Sequence, residues 1–142
     1  MTTDDPRLSG YEQWGDHDPF ETLTGPLYLK REPDGRHRCA FAVLPHHMNG
    51  QGAIHGGMLM TFADFALFSF ARDILNGPTV TVSFNCDFTA PAYAGDFLEA
   101  TGEVVHQSRK MIFVQGVLRR GETVVLRFSG LLKRVTVRSA AE

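Results

Sequence analysis

The chain has 142 residues, of which 43% are hydrophobic, so it suits one compact domain with a substantial core. A formal net charge of -2 argues against general nucleic-acid binding, which normally requires a strongly basic domain. The charge is uneven, because residues 101–142 hold 8 Lys/Arg against 3 acids. This basic third could meet an anionic ligand, although solvated outer faces of strands are the simpler explanation.

Residues 1–18 are polar with little periodicity, and they predict a flexible N-terminal segment before a single domain over residues 19–138. The first six residues lack the positive and apolar regions of a secretory signal. Cys39 and Cys86 both fall in segments that are typical of strands. We therefore expect a cytoplasmic protein with reduced thiols.

Capping and turn residues predict the first elements. Asp18 and Pro19 are typical of a helix N-cap and first turn, and they predict a short helix at residues 20–23. Residues 27–31 and 37–44 flank a Pro-Asp-Gly turn, which predicts a β-hairpin.

A long helix is predicted over residues 58–75, where nearly every residue is apolar or small. Such a helix has no convincing polar face and should be buried on most sides. Asp64, Arg72 and Asp73 interrupt the run, so we expect no membrane span. The Asn-Gly-Pro sequence at residues 76–78 should end the helix.

Four extended segments follow, at residues 79–88, 96–106, 111–118 and 123–137. Their short connectors imply antiparallel neighbours, and the one long helix must pack on the resulting sheet. Gly130 is expected to mark a bulge in the last strand. The predicted fold is α+β, with a curved antiparallel sheet around one long central helix.

Asp64 is the most informative residue because it lies inside the apolar run of the long helix. An ionised carboxylate in a dry core is costly unless it is paired, hydrogen-bonded or hydrated. Carboxylates with disturbed proton affinity gather at functional clefts. Asp64 is therefore a candidate catalytic group, and the alternative is a structural acid that bonds to backbone or to a neighbouring hydroxyl.

Gly56 and Gly57 lie where the long helix begins. Without side chains, they let a ligand approach backbone N–H groups that have no partner inside the helix. The helix dipole reinforces those donors, so a developing oxyanion could be stabilised here. The alternative is that the glycines only permit tight packing or a sharp entry turn.

Asp64 and Gly56 are eight residues apart, which is roughly 12 Å along a helix axis. One subunit can hardly focus both groups on the same carbonyl. A second copy running antiparallel would bring its Asp64 opposite the first copy's Gly56. Catalysis by this pair therefore predicts a homodimer with two equivalent sites at its interface.

Three other polar residues precede the helix. Asn49 could donate its amide to the same carbonyl oxygen, or it could only shape a turn. His55 could bond a ligand carbonyl or orient the loop. We expect no metal, because His46, His47 and His55 lack tight ligand spacing and a Cys pair. No serine-hydrolase, Walker or dinucleotide motif is present, so the chemistry needs a carboxylate and backbone donors, without a cofactor.

The combination of these motifs resembles the hotdog-fold acyl-CoA thioesterases, specifically their phenylacetate-degradation (PaaI-like) branch. The resemblance implies a hotdog fold, homodimers that often pair into tetramers, and hydrolysis of an acyl-CoA thioester to acid and CoA. It covers roughly residues 20–135 and rests on Gly25-Pro26-Leu27, Asn49, Gly52, His55-Gly56-Gly57, Asp64, Phe88-Thr89-Ala90-Pro91-Ala92 and Gly95-Asp96.

Matched position by position, the resemblance gives Asp64 the role of nucleophile or of general base on water. Gly56 matches the residue whose backbone N–H polarises the thioester carbonyl, with Asn49 beside it and His55 as a nearby polar contact. Thr81 is the nearest match for a hydroxyl that helps to place water in some relatives, with Ser83 two residues on.

Substrate binding is expected in two further regions. The turn Gln107-Ser108-Arg109-Lys110 lies where relatives often contact CoA phosphates, although hairpin turns are commonly basic. Apolar side chains along the helix could line an acyl pocket, although a core role is the stronger interpretation. These side chains are Met58, Met60, Phe62, Phe65 and Phe68.

The sequence therefore predicts an acyl-CoA thioesterase that acts on an aromatic or a medium- or long-chain acyl group. The alternative is a non-catalytic acyl-CoA-binding module on the same fold, against which the intact Asp64 argues. A hotdog hydratase would place a His and an acid differently, and that pattern is not found in this sequence.

Overall fold

One long helix, α2, lies against a single seven-stranded antiparallel sheet. The computed structural model describes residues 4–15 and 17–136. Short 3₁₀ turns lie at Pro6–Leu8, Pro45–His47 and Arg72–Ile74. The helices are α1 (Pro19–Thr24) and α2 (Gly56–Phe70), and the strands are β1 (Glu12–Gln13), β2 (Tyr28–Arg31), β3 (His37–Ala42), β4 (Thr79–Phe88), β5 (Phe97–Gln107), β6 (Met111–Arg120) and β7 (Thr123–Arg134).

The sheet has the strand order β1-β2-β3-β5-β6-β7-β4, and every pair is antiparallel. Helix α2 contacts β3, β4, β5, β6 and β7. Five strands at about 4.8 Å spacing are wider than a helix of about 10 Å diameter, so the sheet must curve around it. The expected curved sheet around one central helix is confirmed.

Burial of α2 explains why its sequence is so apolar. Its inward side chains pack on the sheet, and Phe62, Ala63, Ala66 and Leu67 are completely buried. The expectation that this helix is buried on most sides is therefore confirmed. In the part of the chain that the structure describes, no helix is long and apolar enough to cross a membrane.

The long helix ends earlier than the sequence predicts. The α-helix stops at Phe70 instead of reaching residue 75, and a 3₁₀ turn follows at Arg72–Ile74. Asp73 is held there by Arg31, and Arg134 takes the carbonyl oxygens of residues 74 and 75. These long-range partners compete with a further helical turn, and such partners are invisible to local sequence patterns.

The N-terminal residues extend the sheet. Strand β1 pairs with β2, the Trp14 N–H donates to the Leu27 carbonyl, and Leu8 is buried. The sheet therefore has one more strand than the sequence predicts. These contacts do not measure motion, so the flexibility of residues 1–18 and the domain range 19–138 stay predictions.

The other predicted elements are confirmed, with shifted ends. Asp18 caps α1, the predicted hairpin is β2–β3, and β4 has the predicted bounds. Strands β5 and β6 reach one and two residues further than predicted, to Gln107 and Arg120. Strand β7 ends at Arg134, and residue 137 of the predicted strand lies outside the described residues.

Gly130 does not form the expected bulge. It pairs in regular register with Phe84 on one side and Val114 on the other. A Cβ atom at Gly130 would lie 2.2 Å from Cδ1 of Leu67, a buried side chain of α2. The glycine is therefore required for close approach of the helix to the sheet.

Replacing Gly130 with alanine should destabilise the fold by about 1–3 kcal/mol, because the added methyl group overpacks the core at Leu67. Urea unfolding would measure the change. Gly50→Ala is the matched control, since a Cβ at Gly50 meets nothing within 4 Å. Equal stability of the two variants would contradict the packing role.

Candidate active site

Asp64 lies in the middle of α2 and is half-buried. Its Oδ1 accepts a hydrogen bond of 2.6 Å from the Thr81 hydroxyl on β4. Burial raises the pKa of Asp64 above its ordinary value, and the hydrogen bond from Thr81 offsets part of this rise. The carboxylate is thus held in place by one neutral partner, and its second oxygen stays available for water or substrate.

Thr81 and Ser83 were the two candidates for the hydroxyl beside Asp64. A register shift in the β4–β7 ladder lies between them. Thr81 contacts the carboxylate, whereas Ser83 is exposed on the strand. The geometry therefore favours Thr81, and its role in placing water stays a prediction.

A cleft of about 400 Å³ opens at Asp64. Aromatic and sulfur-containing side chains form much of its wall, and two further acids come from the region of α1. Its lining residues are Asp18, Phe20, Glu21, Met60, Thr61, Asp64 and Phe84.

Glu21 is the residue in this cleft that sequence reasoning missed. Burial, and then the negative charge of Asp18, raise its pKa to about 7. The Asp18 side chain also accepts the Glu21 N–H at 3.0 Å, as a helix cap does. That capping pattern was readable in the sequence, but it gave no sign that α1 packs beside Asp64.

The N-terminus of α2 offers one free backbone donor. The Gly57 N–H donates to Nδ1 of His55 at 2.8 Å, and the Met58 N–H donates to the His55 carbonyl at 2.9 Å. Among the described residues, the Gly56 N–H has no acceptor. Gly56 is therefore the donor that a ligand can reach, while a substrate contact at Gly57 stays a prediction.

The ring of Phe88 explains why position 56 is a glycine. A Cβ atom on Gly56 would lie 3.1 Å from this ring, which comes from the end of β4. Phe88 is itself 55% exposed, so it forms an apolar surface beside the free N–H.

Asn49 shapes the loop that leads to α2. Its Oδ1 accepts the N–H groups of Gln51 at 2.8 Å and Ala53 at 3.1 Å. An isolated bridge between Met48 and Ile54 closes the same loop. Since these bonds use the side-chain oxygen, the amide NH₂ keeps its two donors. The turn role is therefore compatible with the predicted contact to a carbonyl oxygen.

The histidines before this loop bond to backbone. Ring nitrogens of His46 and His47 contact the carbonyl oxygens of Gly25 and Thr24 at the end of α1. Nδ1 of His47 accepts the Leu44 N–H, and burial lowers the pKa of His47. These contacts fasten the active-site loop to α1.

The predicted apolar and basic substrate contacts are spread over the molecule. Met58, Phe62 and Phe65 are buried in the core, whereas Met60 is 41% exposed and lines the cleft. Phe68 is half-buried against the core. The turn at residues 108–110 is exposed and lies near the end of α2, where Arg134 connects it to residues 74 and 75. The structure does not place this turn at the Asp64 of the same protomer.

The chain matches the model of the thioesterase superfamily over residues 51–126. It is 30% identical over 98 residues to human acyl-coenzyme A thioesterase 13, which covers 66% of this chain and 68% of that protein. It is 32% identical over 89 residues to acyl-coenzyme A thioesterase PaaI of Escherichia coli K12, covering 62% and 63%. A crystal structure of a mutant phenylacetic acid degradation protein PaaI from Thermus thermophilus is similar at a TM-score of 0.72 and 30% identity, covering 83% of this chain and 100% of that one.

Glu21→Gln should flatten the pH dependence of stability between about pH 4.5 and 7. A carboxyl whose pKa is raised from 4.5 to about 7 binds more protons in the folded state, so wild-type stability is full below this window and falls as pH rises through it. Urea midpoints of both proteins across the window would measure this. Parallel profiles would contradict the raised pKa.

Proposed function

Because this chain belongs to the thioesterase superfamily and is a thioester hydrolase of the hotdog fold, we propose that it hydrolyses acyl-CoA thioesters at the Asp64 cleft. The observation that carries the proposal is the half-buried Asp64 carboxylate, which Thr81 holds at one oxygen in an open cleft. The products are a free carboxylic acid and CoA.

The chemistry needs only groups that this chain provides. Asp64 either takes a proton from water that attacks the thioester carbon, or attacks that carbon itself and is then released by water. In both routes the carbonyl oxygen becomes an oxyanion, which the Gly56 N–H stabilises at the positive end of the helix dipole. Collapse of the intermediate breaks the carbon–sulfur bond, and the sulfur leaves with a proton. Asn49 and His55 lie beside the donor as further polar contacts.

A homodimer brings these groups together. Asp64 and Gly56 of one protomer are roughly 12 Å apart along the helix axis, so each site takes Asp64 from one subunit and Gly56 from the other.

The free edge of the sheet supports such a dimer. No described strand pairs with the outer side of β4. Val80 and Val82 on this strand are 44% and 48% exposed, and Phe88 adds further apolar surface. An uncovered apolar edge favours pairing with another strand. Twofold pairing of two β4 edges would set the two α2 helices antiparallel, and such dimers could pair further into tetramers.

The cleft walls suit an apolar acyl group. Phe20, Met60 and Phe84 line the cleft around Asp64, and Phe20 is 59% exposed. Apolar walls with few polar groups are typical of pockets that bind the hydrophobic part of a ligand. The substrate class is therefore an aromatic or a medium- or long-chain acyl-CoA, whose phosphates the basic turn at residues 108–110 would contact.

Asp64→Asn should lower kcat for acyl-CoA hydrolysis by at least about 100-fold, because the amide can neither activate water nor attack the thioester. Release of free thiol from aromatic and fatty acyl-CoAs measures turnover. The amide preserves shape, so dimerisation and CoA binding should persist. Asp87→Asn is the matched control, since Asp87 is an exposed β4 carboxylate that pairs with Arg127.

Two results would contradict the proposal. Full activity of Asp64→Asn would remove Asp64 from the chemistry. Acyl-CoA binding by the wild-type protein without any thiol release would instead identify a non-catalytic acyl-CoA-binding module.

A further inference from the structure

Arg134, near the end of β7, joins two distant parts of the chain. Its guanidinium donates to the carbonyl oxygens of Ile74 at 2.7 Å and Leu75 at 3.1 Å, beyond the end of α2. It also donates to the carbonyl oxygens of Ser108 at 2.8 Å and Arg109 at 3.0 Å, in the β5–β6 turn. One side chain therefore fixes this turn against the segment that follows α2.

The direction of these bonds determines what the turn presents to solvent. In a trans peptide, the C=O and the following N–H point in opposite directions. Since the carbonyl groups of Ser108 and Arg109 face the guanidinium, the N–H groups of Arg109 and Lys110 face away from it. Neither N–H has an acceptor among the described residues. The turn thus presents two adjacent backbone donors to a ligand.

The charge around these donors favours an anion. The side chains of Arg109 and Lys110 are both on exposed residues of the turn. Arg134 forms no ion pair with a carboxylate of the described residues, unlike Arg31 and Arg127, which pair with aspartates. Its charge therefore polarises the two peptide groups from behind instead of being neutralised.

The turn is also rigid before any ligand arrives. The Ser108 N–H donates to the Met111 carbonyl at 2.8 Å, and the Met111 N–H donates to the Ser108 hydroxyl at 3.2 Å. The Arg134 N–H donates to the Lys110 carbonyl at 2.8 Å. A site whose donors are already ordered loses less conformational entropy on binding.

We propose that the turn at residues 108–110 binds a phosphate group of CoA through the backbone N–H groups of Arg109 and Lys110, with Arg134 as the positioning residue behind them. The side chains of Arg109 and Lys110 add charge at the front of the site. Backbone amides that converge with positive charge are a recurrent phosphate site. This inference rests on the proposed function only in taking CoA as the ligand.

Calorimetric titration of the Asp64→Asn protein with CoA and with pantetheine, which lacks the nucleotide phosphates, tests the site without turnover. CoA should bind more tightly than pantetheine. Adding Arg134→Gln should weaken CoA binding about tenfold and leave pantetheine binding unchanged, because charge-assisted hydrogen bonds are lost. Arg134→Lys should have a smaller effect, since it keeps the charge but not the planar fork. Arg127→Gln, on the same strand, should change neither affinity.

Turnover provides a second readout. In the otherwise wild-type protein, Arg134→Gln and Arg109→Ala should each raise KM for acyl-CoA more than they lower kcat, and should leave KM for the matching acyl-pantetheine unchanged. A merely structural role of Arg134 would impair both substrates and lower the melting temperature. That outcome overturns the proposal, as would unchanged CoA affinity in Arg134→Gln. If Arg134→Gln does not fold, the same comparison is made with Arg134→Lys.

The site and the proposed function fail in different ways. An inactive protein that still prefers CoA over pantetheine, and loses this preference with Arg134→Gln, would contradict hydrolysis and support the site. An active thioesterase that binds CoA and pantetheine equally would support hydrolysis and contradict the site.

Discussion

A carboxylate in the middle of an apolar helix is the constraint on which the structure of the site depends. Asp64 is held by the Thr81 hydroxyl, and burial raises its pKa. A neutral partner neither cancels its charge nor occupies both of its oxygens, so the carboxylate keeps its capacity to act as a base or nucleophile. A salt bridge at the same place would have stabilised the charge and lowered its basicity. The helix must be apolar to pack inside the sheet, and this burial is also what activates its one acid.

The length of that helix sets the second constraint. The free N–H of Gly56 and the carboxylate of Asp64 lie too far apart in one protomer to act on one carbonyl. The uncovered apolar edge of β4 runs beside both groups, because Thr81 contacts Asp64 and Phe88 packs on Gly56. The same strand therefore supports the active site and supplies the surface on which a second subunit would complete it.

Local patterns predicted much of the fold and of the candidate site. Alternating apolar residues located the strands, and an acid in an oily run identified Asp64. The errors came from long-range contacts. Residues 71–75 read as helix because their partners, Arg31 and Arg134, are distant in sequence. Gly130 read as a bulge because a bulge and a close helix contact both require a small residue, and only packing distinguishes them. Glu21 escaped notice because no local pattern shows that α1 packs beside α2.

The most direct test of the shared site is complementation between two inactive subunits. Asp64→Asn removes the carboxylate. Gly56→Pro removes the free N–H while suiting the first helical position, because His55 before it is already extended. A heterodimer of one Asp64→Asn subunit and one Gly56→Pro subunit, purified through two different tags, contains one intact site if each site draws on both subunits. It should then hydrolyse acyl-CoA at about half the wild-type rate per dimer, although both parent homodimers are nearly inactive. A heterodimer as inactive as its parents would contradict a site that is shared between subunits.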